Sequence, residues 1–170
     1  MTAAESPLGF FELLAVLREH GVEFVVIGGF AVILHGVVRA TKDVDVVPEQ
    51  SPENLARLWS ALEELKAKPR ELAEFRPEEM PMRFSLDGLI EGGGNWVLET
   101  RLGRLDVMQW VSGIDSYEEL RANAAKDETP DGGEIWFAGL DDLFAMKRAA
   151  GRDQDLMDIT ALRMAHGLEE

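Results

Sequence analysis

Residues 24–47 read FVVIGGFAVILHGVVRATKDVDVV, and this stretch decides the fold. The apolar run Phe24–Ile27 predicts a buried strand, which Gly28 and Gly29 bring to an end. Two residues without side chains let backbone amides approach a ligand closely, and the apolar pattern that follows predicts a short helix over residues 30–35. The positive end of that helix would point toward the glycines, so the pattern is typical of a phosphate-binding turn.

Two aspartates open the second apolar run of the same stretch. Because successive side chains of a strand alternate between its faces, Asp43 and Asp45 are expected on one side while Val44 and Val46 face the core. Two carboxylates held that close repel each other, and a bound divalent cation removes the conflict. Hard oxygen ligands of this kind suit Mg²⁺, or Mn²⁺ in its place, carrying a nucleoside triphosphate.

The combination of Gly28-Gly29 with the later Asp43 and Asp45 resembles the nucleotidyltransferase superfamily, whose founding fold is the palm of DNA polymerase beta. The likeness covers residues 22–110 and is strongest to the minimal, bacterial branch. It implies an enzyme that moves a nucleoside monophosphate from a nucleoside triphosphate to a hydroxyl acceptor. It also implies that the two aspartates are catalytic metal ligands and that the two glycines bind the nucleotide.

Asp106 is the candidate for the third carboxylate of the superfamily pattern. It lies in the run Arg104–Met108, a short apolar strand pattern with one acidic residue inside it. The resemblance implies that this aspartate is a further catalytic metal ligand. The residues alone leave another interpretation open, because Gly103 and Arg104 also permit an ordinary surface hairpin with an Arg–Asp pair.

A second likeness lies in residues 147–158, KRAAGRDQDLMD, which are similar to a helical segment of abortive-infection and toxin–antitoxin nucleotidyltransferases. It implies that Lys147 and Arg152 face the nucleotide phosphates, although basic residues near a helix end also satisfy carbonyl groups there. Thr41 and Lys42 precede the aspartates and are further candidates for nucleotide binding. Loop residues of these two types are usually only solvated.

Length and composition predict one domain over residues 1–170, with a core over 1–112 and a mainly helical part over 113–170. The expected class is α/β in the α+β sense, a mixed and mostly antiparallel sheet flanked by helices. A chain of this size and 46% hydrophobic content can bury a core without disulfides, and it contains no cysteine. A cytoplasmic location is expected, with no membrane partner.

The charge balance bears on the acceptor. With 17 Lys and Arg against 32 Asp and Glu, the net charge is −15, which opposes broad attraction to nucleic acid. A small molecule or a protein hydroxyl is therefore preferred as acceptor. Transfer RNA is the main competitor, by way of a basic strip formed by Arg39, Lys42, Lys147, Arg148 and Arg152. A nucleotide-binding regulatory or toxin–antitoxin module without turnover is the other alternative.

The remaining glycine, proline and helix-capping residues predict the order of the other elements. These are a helix from Pro7 ending at Gly21, a strand over 43–47, a helix capped by Ser51-Pro52, a loop over 67–81, an antiparallel meander over 82–111, a helix capped by Asp115, an edge strand over 134–137 and helices over 140–150 and 153–168. Core packing is expected to explain the four tryptophans, which are Trp59, Trp96, Trp110 and Trp136.

Overall fold

The structure is a computed structural model that describes residues 7–70 and 84–169. The helices of the described residues are α1 (Pro7–Glu19), α2 (Gly28–Leu34), α3 (Pro52–Glu64), α4 (Leu86–Gly92), α5 (Tyr117–Ala122), α6 (Leu140–Ala150) and α7 (Asp153–Ala165). The strands are β1 (Phe24–Ile27), β2 (Asp43–Pro48), β3 (Lys68–Pro69), β4 (Asn95–Thr100), β5 (Gly103–Met108), β6 (Ala125–Glu128) and β7 (Glu134–Phe137).

All of these strands belong to one sheet, in the order β3-β4-β5-β2-β1-β7-β6. The pairs β2–β5 and β1–β7 are parallel and the other four neighbouring pairs are antiparallel. The predicted α+β class, with a mixed and mostly antiparallel sheet flanked by helices, is therefore confirmed. The region after residue 113 is not purely helical, because β6 and β7 extend the sheet beside β1.

The sequence pattern explains how the central strands are placed. Val25 and Val26 of β1 are fully buried, as the continuous apolar run predicts. At the start of β2 the side chains alternate, with Val44 and Val46 fully buried and Asp43 and Asp45 only partly buried. One face of β2 therefore packs into the core while the other carries Asp43 and Asp45.

Helix α3 is tied to the start of β1 and to the end of β2. The Ser51 hydroxyl accepts a hydrogen bond from the Asn54 amide, which confirms the predicted helix start. The fully buried Asn54 side chain accepts from the Glu23 amide and donates to the carbonyls of Glu23 and Glu49. The start of β1 and the end of β2 are thus tied to one side chain.

The region from residue 82 to 111 differs in its first half from the predicted meander. Leu86–Gly92 is a helix rather than strands, because the Ser85 hydroxyl caps its first turn and Gly93 ends it with φ 57°. The second half is the expected hairpin, in which β4 and β5 pair antiparallel from Asn95↔Met108 to Thr100↔Gly103. Residues 82 and 83 lie outside the described residues.

Three smaller expectations also need correction. The predicted loop over 67–81 contains β3, which pairs with β4, and its residues 71–81 lie outside the described residues. The strand over Glu134–Phe137 is not an edge strand, because β6 covers it, and the exposed Ala125–Glu128 lacks the apolar alternation that would have predicted β6. The cap of α5 is Ser116, whose hydroxyl accepts from the Glu119 amide, and not Asp115.

Core packing accounts for only part of the tryptophan set. Trp96 is 2% exposed, and the partly buried Trp59 packs against the ring of Phe84. Trp136 is half-buried beneath the Arg121 guanidinium. Trp110 contradicts the expectation, since it is 66% exposed. No helix in the described ranges is long and apolar enough to span a membrane.

Candidate active site

The strand register brings the three candidate carboxylates together. β2 lies between β1 and β5, so that Asp45 is paired with Ile27 on one side and with Asp106 on the other. Asp43 lies two residues earlier on β2 and therefore shares the face of Asp45. All three aspartates line one cavity of about 470 Å³.

The glycine pair lies against this carboxylate face because Gly28 follows the residue that pairs with Asp45. Gly28 is the first residue of α2 and has φ 71°, and a Cβ atom built on it would overlap the Asp45 carboxylate. A Cβ on Gly29 would lie 2.9 Å from Thr41 Oγ1 and 3.2 Å from Arg39 Cζ. Both glycines line the cavity, and side chains there would fill the space beside the carboxylates.

Asp45 and Asp106 interact strongly. Burial raises the pKa of Asp45 to about 8, and the neighbouring Asp106 carboxylate adds to the rise. Burial also raises the pKa of Asp106, but its hydrogen bond with Asp45 works in the opposite direction. Both pKa values are raised, which favours one proton held between the two carboxylates.

The surface-hairpin interpretation of Asp106 does not agree with the contacts. Arg104 pairs with Glu99, its Nε lying 3.2 Å from Oε1. The cation that contacts Asp106 is Arg70, which follows β3 and whose NH2 atom lies 3.3 Å from Asp106 Oδ1. The NH1 atom of the same guanidinium lies 3.6 Å from Asp43 Oδ1.

The donor chemistry of the site fits a hard divalent cation. Three carboxylates face one cavity, and Asp43 Oδ1 is buried without a hydrogen-bond partner in the described part of the chain. Within that same part, no group of three or more His, Cys, Asp or Glu side chains is already gathered in a metal-binding arrangement. Asp43, Asp45 and Asp106 are the residues that would hold Mg²⁺ or Mn²⁺, and Arg70 now contacts two of them.

A buried ion network borders the other side of the cavity. Lys147, 7% exposed on α6, places Nζ 3.2 Å from Asp155 Oδ1 and 2.8 Å from Asp158 Oδ2. Arg39 NH1 lies 2.6 Å from the same Asp158 oxygen, and Arg152 Nε lies 2.7 Å from Asp155 Oδ2. Burial opposes ionisation of Asp155, but bonds from Arg152 and Lys147 outweigh it and lower its pKa.

The network leaves a net positive charge beside the carboxylates, because three cations face two aspartates. Lys147 is the buried member of the network, whereas the side chain of Arg152 is 77% exposed. Arg39, Lys147, Arg152 and Asp155 all line the cavity. Lys147 therefore does not serve to satisfy carbonyl groups at the helix end, and its ammonium group is already engaged by two carboxylates.

Most of the predicted site residues come together in the cavity. Those that line it are Gly28, Gly29, Thr41, Asp43, Asp45, Asp106, Lys147 and Arg152. Lys42 is exposed and is not among the lining residues. Sequence reasoning missed the contacts of Arg70, which lies in a proline-containing segment interpreted as loop. It also missed the position of Trp110 on the cavity wall, because its apolar surroundings suggested core.

The comparisons with known proteins agree with this geometry. A sequence profile of the family described as "Nucleotidyltransferase of unknown function (DUF6036)" matches residues 9–85, which include Gly28, Gly29, Asp43 and Asp45 but not Asp106. No functionally curated protein matches the sequence.

Three solved structures share the fold across most of the chain. ANT(2")-Ia in complex with adenylyl-2"-tobramycin is 14% identical with a TM-score of 0.57, covering 93% of this chain and 87% of that one. The lincomycin-bound lincosamide antibiotic adenylyltransferase LnuA is 16% identical with a TM-score of 0.53, covering 94% and 98%. TM1012 of Thermotoga maritima, assigned provisionally as a nucleotidyltransferase, is 15% identical with a TM-score of 0.53, covering 95% and 94%.

The fold is therefore that of the nucleotidyltransferases. Residues 9–85 match a nucleotidyltransferase family, and the chain as a whole shares the fold of the solved nucleotidyltransferases. The family match supports nucleotidyl transfer as the general class of activity, and the solved structures support the fold.

The first prediction concerns Lys147. Replacing it by methionine keeps its length but leaves Asp155 and Asp158 buried with less compensation, so the free energy of unfolding should fall by about 3 kcal/mol. Chemical denaturation measures this change. The matched control is Lys42→Met at an exposed position, which should stay within about 0.5 kcal/mol of the parent. Equal stability of the two variants would contradict a structural role for Lys147.

The second prediction concerns pH. Because the pKa of Asp45 is raised to about 8 in the folded protein, its contribution to stability is present at low pH and lost as pH rises toward 8. In EDTA, Asp45→Asn should gain on the parent between pH 5 and 8 by at most about 1.4 kcal/mol per pH unit, and the gain should level off above that. Denaturant titrations of both proteins across this range measure the difference. A difference that does not change with pH would contradict the shared proton.

Proposed function

We propose that this protein is a metal-dependent nucleotidyltransferase that moves a nucleoside monophosphate from a nucleoside triphosphate to a hydroxyl acceptor. The observation that carries the proposal is the register of β1, β2 and β5, in which Asp45 lies beside Asp106 and against Gly28. Carboxylates and a side-chain-free turn then face one cavity. The general class of activity agrees with the family match.

The two sides of the cavity suggest where the triphosphate binds. Gly28, Gly29 and Thr41 lie on the side of Arg39 and Arg152, where the ion network has a net positive charge. Backbone amides and a guanidinium group suit phosphate oxygens. In this proposal Arg152 contacts the triphosphate, and Lys147 holds the network from within. Lys42 is left outside the site.

The reaction requires the acceptor oxygen to attack the α-phosphorus while the bond to the bridging oxygen breaks and pyrophosphate leaves. Asp43, Asp45 and Asp106 would hold Mg²⁺ or Mn²⁺, which when bound stabilises the charge that develops on the attacking and leaving oxygens. Asp106 is the residue proposed to accept the proton of the attacking hydroxyl. Asp106 is paired with Asp45 in the strand register and lines the same cavity.

The other wall of the cavity suggests a small-molecule acceptor. The lining residues that follow Asp106 along the chain carry no formal charge, nor does Asn95, which pairs with Met108; these residues are Asn95, Met108, Trp110, Val111 and Ser112. The Trp110 backbone is held by the Asn95 side chain at 3.2 Å, while its indole is largely exposed. An exposed indole offers a face to a ring or to an organic cation. Two neighbours of the same fold are described with antibiotics bound, which agrees with this preference.

The structure offers less support for transfer RNA. Of the predicted basic strip, Arg39, Lys147 and Arg152 line the cavity but are paired with Asp155 and Asp158. A net charge of −15 adds an unfavourable field for a polyanion. A small molecule or a protein hydroxyl therefore remains the preferred acceptor, in a cytoplasmic setting.

A binding module without turnover is the second candidate. A nucleotide-binding half of a toxin–antitoxin pair would need the glycines and the cations, but it would have no chemical need for three clustered carboxylates. If that candidate is right, magnesium and a triphosphate at about 100 times the dissociation constant would still stabilise the protein by about 2.7 kcal/mol, with no product formed.

The third prediction tests transfer directly. The protein is incubated with Mg²⁺ and each α-labelled nucleoside triphosphate, together with an aminoglycoside panel or an RNA-free protein extract. Asp45→Asn removes a charge that the metal needs, so labelled product should fall by at least two orders of magnitude, about 3 kcal/mol of barrier. The matched control is Asp141→Asn at an exposed position of α6, which should transfer normally. Full transfer by folded Asp45→Asn would place the chemistry elsewhere.

The fourth prediction tests the acceptor wall. Trp110→Ala should raise KM for a small cationic acceptor by about fivefold, because an exposed indole contributes about 1 kcal/mol to binding a cation. The Kd for the magnesium triphosphate should change less than about twofold, since the nucleotide lies on the opposite wall. Trp110→Phe keeps an aromatic face and is the matched control. Strong, salt-sensitive labelling of transfer RNA alone would contradict the proposed acceptor class.

A further inference from the structure

Arg70 bridges two of the three carboxylates that the proposed function assigns to the metal. Its NH2 atom lies 3.3 Å from Asp106 Oδ1 and its NH1 atom 3.6 Å from Asp43 Oδ1. The backbone amide of Arg70 donates to the Val97 carbonyl at 2.9 Å, which anchors the residue beside β4. The guanidinium therefore reaches the carboxylates from the β3–β4 end of the sheet.

The bridge is incompletely bonded. Only the contact to Asp106 has hydrogen-bond geometry, while Arg70 Nε and Asp43 Oδ1 are both buried without a hydrogen-bond partner among the described residues. The side chains of Arg70 and Asp43 are 22% and 34% exposed, and a partly buried ion pair with unsatisfied polar atoms gains little net stability. The guanidinium can accordingly be replaced by a better partner at modest cost.

A divalent cation would be such a partner. It carries twice the charge of a guanidinium and accepts carboxylate oxygens directly as ligands. The oxygens concerned are the same ones, since Asp43 Oδ1 and Asp106 Oδ1 face Arg70 now.

We propose that Arg70 is a built-in counter-ion that occupies the carboxylates of the metal-free protein and competes with the divalent metal for them. The inference rests on the proposed function, because it takes the three aspartates as the metal ligands. Arg70 is a positioning residue in this scheme. It holds Asp43 and Asp106 against their mutual repulsion, and it sets a threshold that metal binding has to overcome.

A purely structural bridge makes the opposite prediction about the metal. If Arg70 only joins the β3 region to β2 and β5, its loss should disorder the carboxylates and weaken metal binding. If it competes, its loss should lower the stability of the metal-free protein and strengthen metal binding. The direction of the change in metal affinity therefore separates the two roles.

The fifth prediction is tested by Mn²⁺ titration without nucleotide, following free Mn²⁺ by electron paramagnetic resonance. Arg70→Gln should bind Mn²⁺ about tenfold more tightly than the parent, because one positive charge is removed from the ligand oxygens. The matched control is Arg104→Gln, which removes a positive charge from β5 without contacting the carboxylates and should change the affinity less than about threefold. Unchanged or weaker binding by Arg70→Gln would overturn the proposal.

The same series separates this inference from the proposed function. Asp45→Asn should abolish the Mn²⁺ site, and a parent protein without any such site would overturn both. A parent that binds Mn²⁺ while Arg70→Gln binds it no better would overturn the role of Arg70 alone. If Arg70→Gln does not fold without metal, folding restored by Mn²⁺ supports the proposal, and failure to fold with Mn²⁺ overturns it.

Discussion

Repulsion among Asp43, Asp45 and Asp106 is the constraint on which the rest of the site depends. The parallel pairing of β2 with β5 places Asp45 and Asp106 side by side, and burial makes their charges costly. The protein meets this cost with a shared proton and with the Arg70 guanidinium. Each of these is a substitute for a cation, and a divalent cation would make both unnecessary.

On the other side of the cavity, in the ion network around Lys147, the buried charges are paired directly with each other. There the carboxylates of Asp155 and Asp158 are each bonded by two cations, so the network keeps a positive surplus without leaving a buried lysine unpaired. Only Arg152 extends far into solvent. The two sides of the cavity thus have opposite net charge. The side of Asp43, Asp45 and Asp106 has more carboxylates than cations, and the side of the Lys147 network has more cations than carboxylates. A magnesium triphosphate, whose metal and phosphates carry opposite charges, matches that polarity.

The sequence predicted the parts of the site that depend on local pattern. A buried strand ending in Gly28-Gly29 and the alternation around Asp45 are properties of neighbouring residues, and they are enough to place the glycines beside the carboxylates. The contacts of Lys147 and Arg70 could not be predicted, because both depend on which distant segments meet. A lysine next to a helix end and an arginine in a proline-containing segment have several common explanations. Trp110 was misplaced for the same reason, since an apolar neighbourhood in sequence does not show which side faces solvent.

The pairing of Arg39 with Asp158 has a consequence for the order in which the site can be built. These partners are separated by 119 residues, and Arg70 and Asp106 by 36. During synthesis the carboxylate wall can therefore be completed with its own counter-ion well before the last helix emerges, whereas the cationic wall has to wait for α7. Until that helix docks, a nascent chain has one half of its cavity and no balanced surface to receive phosphates.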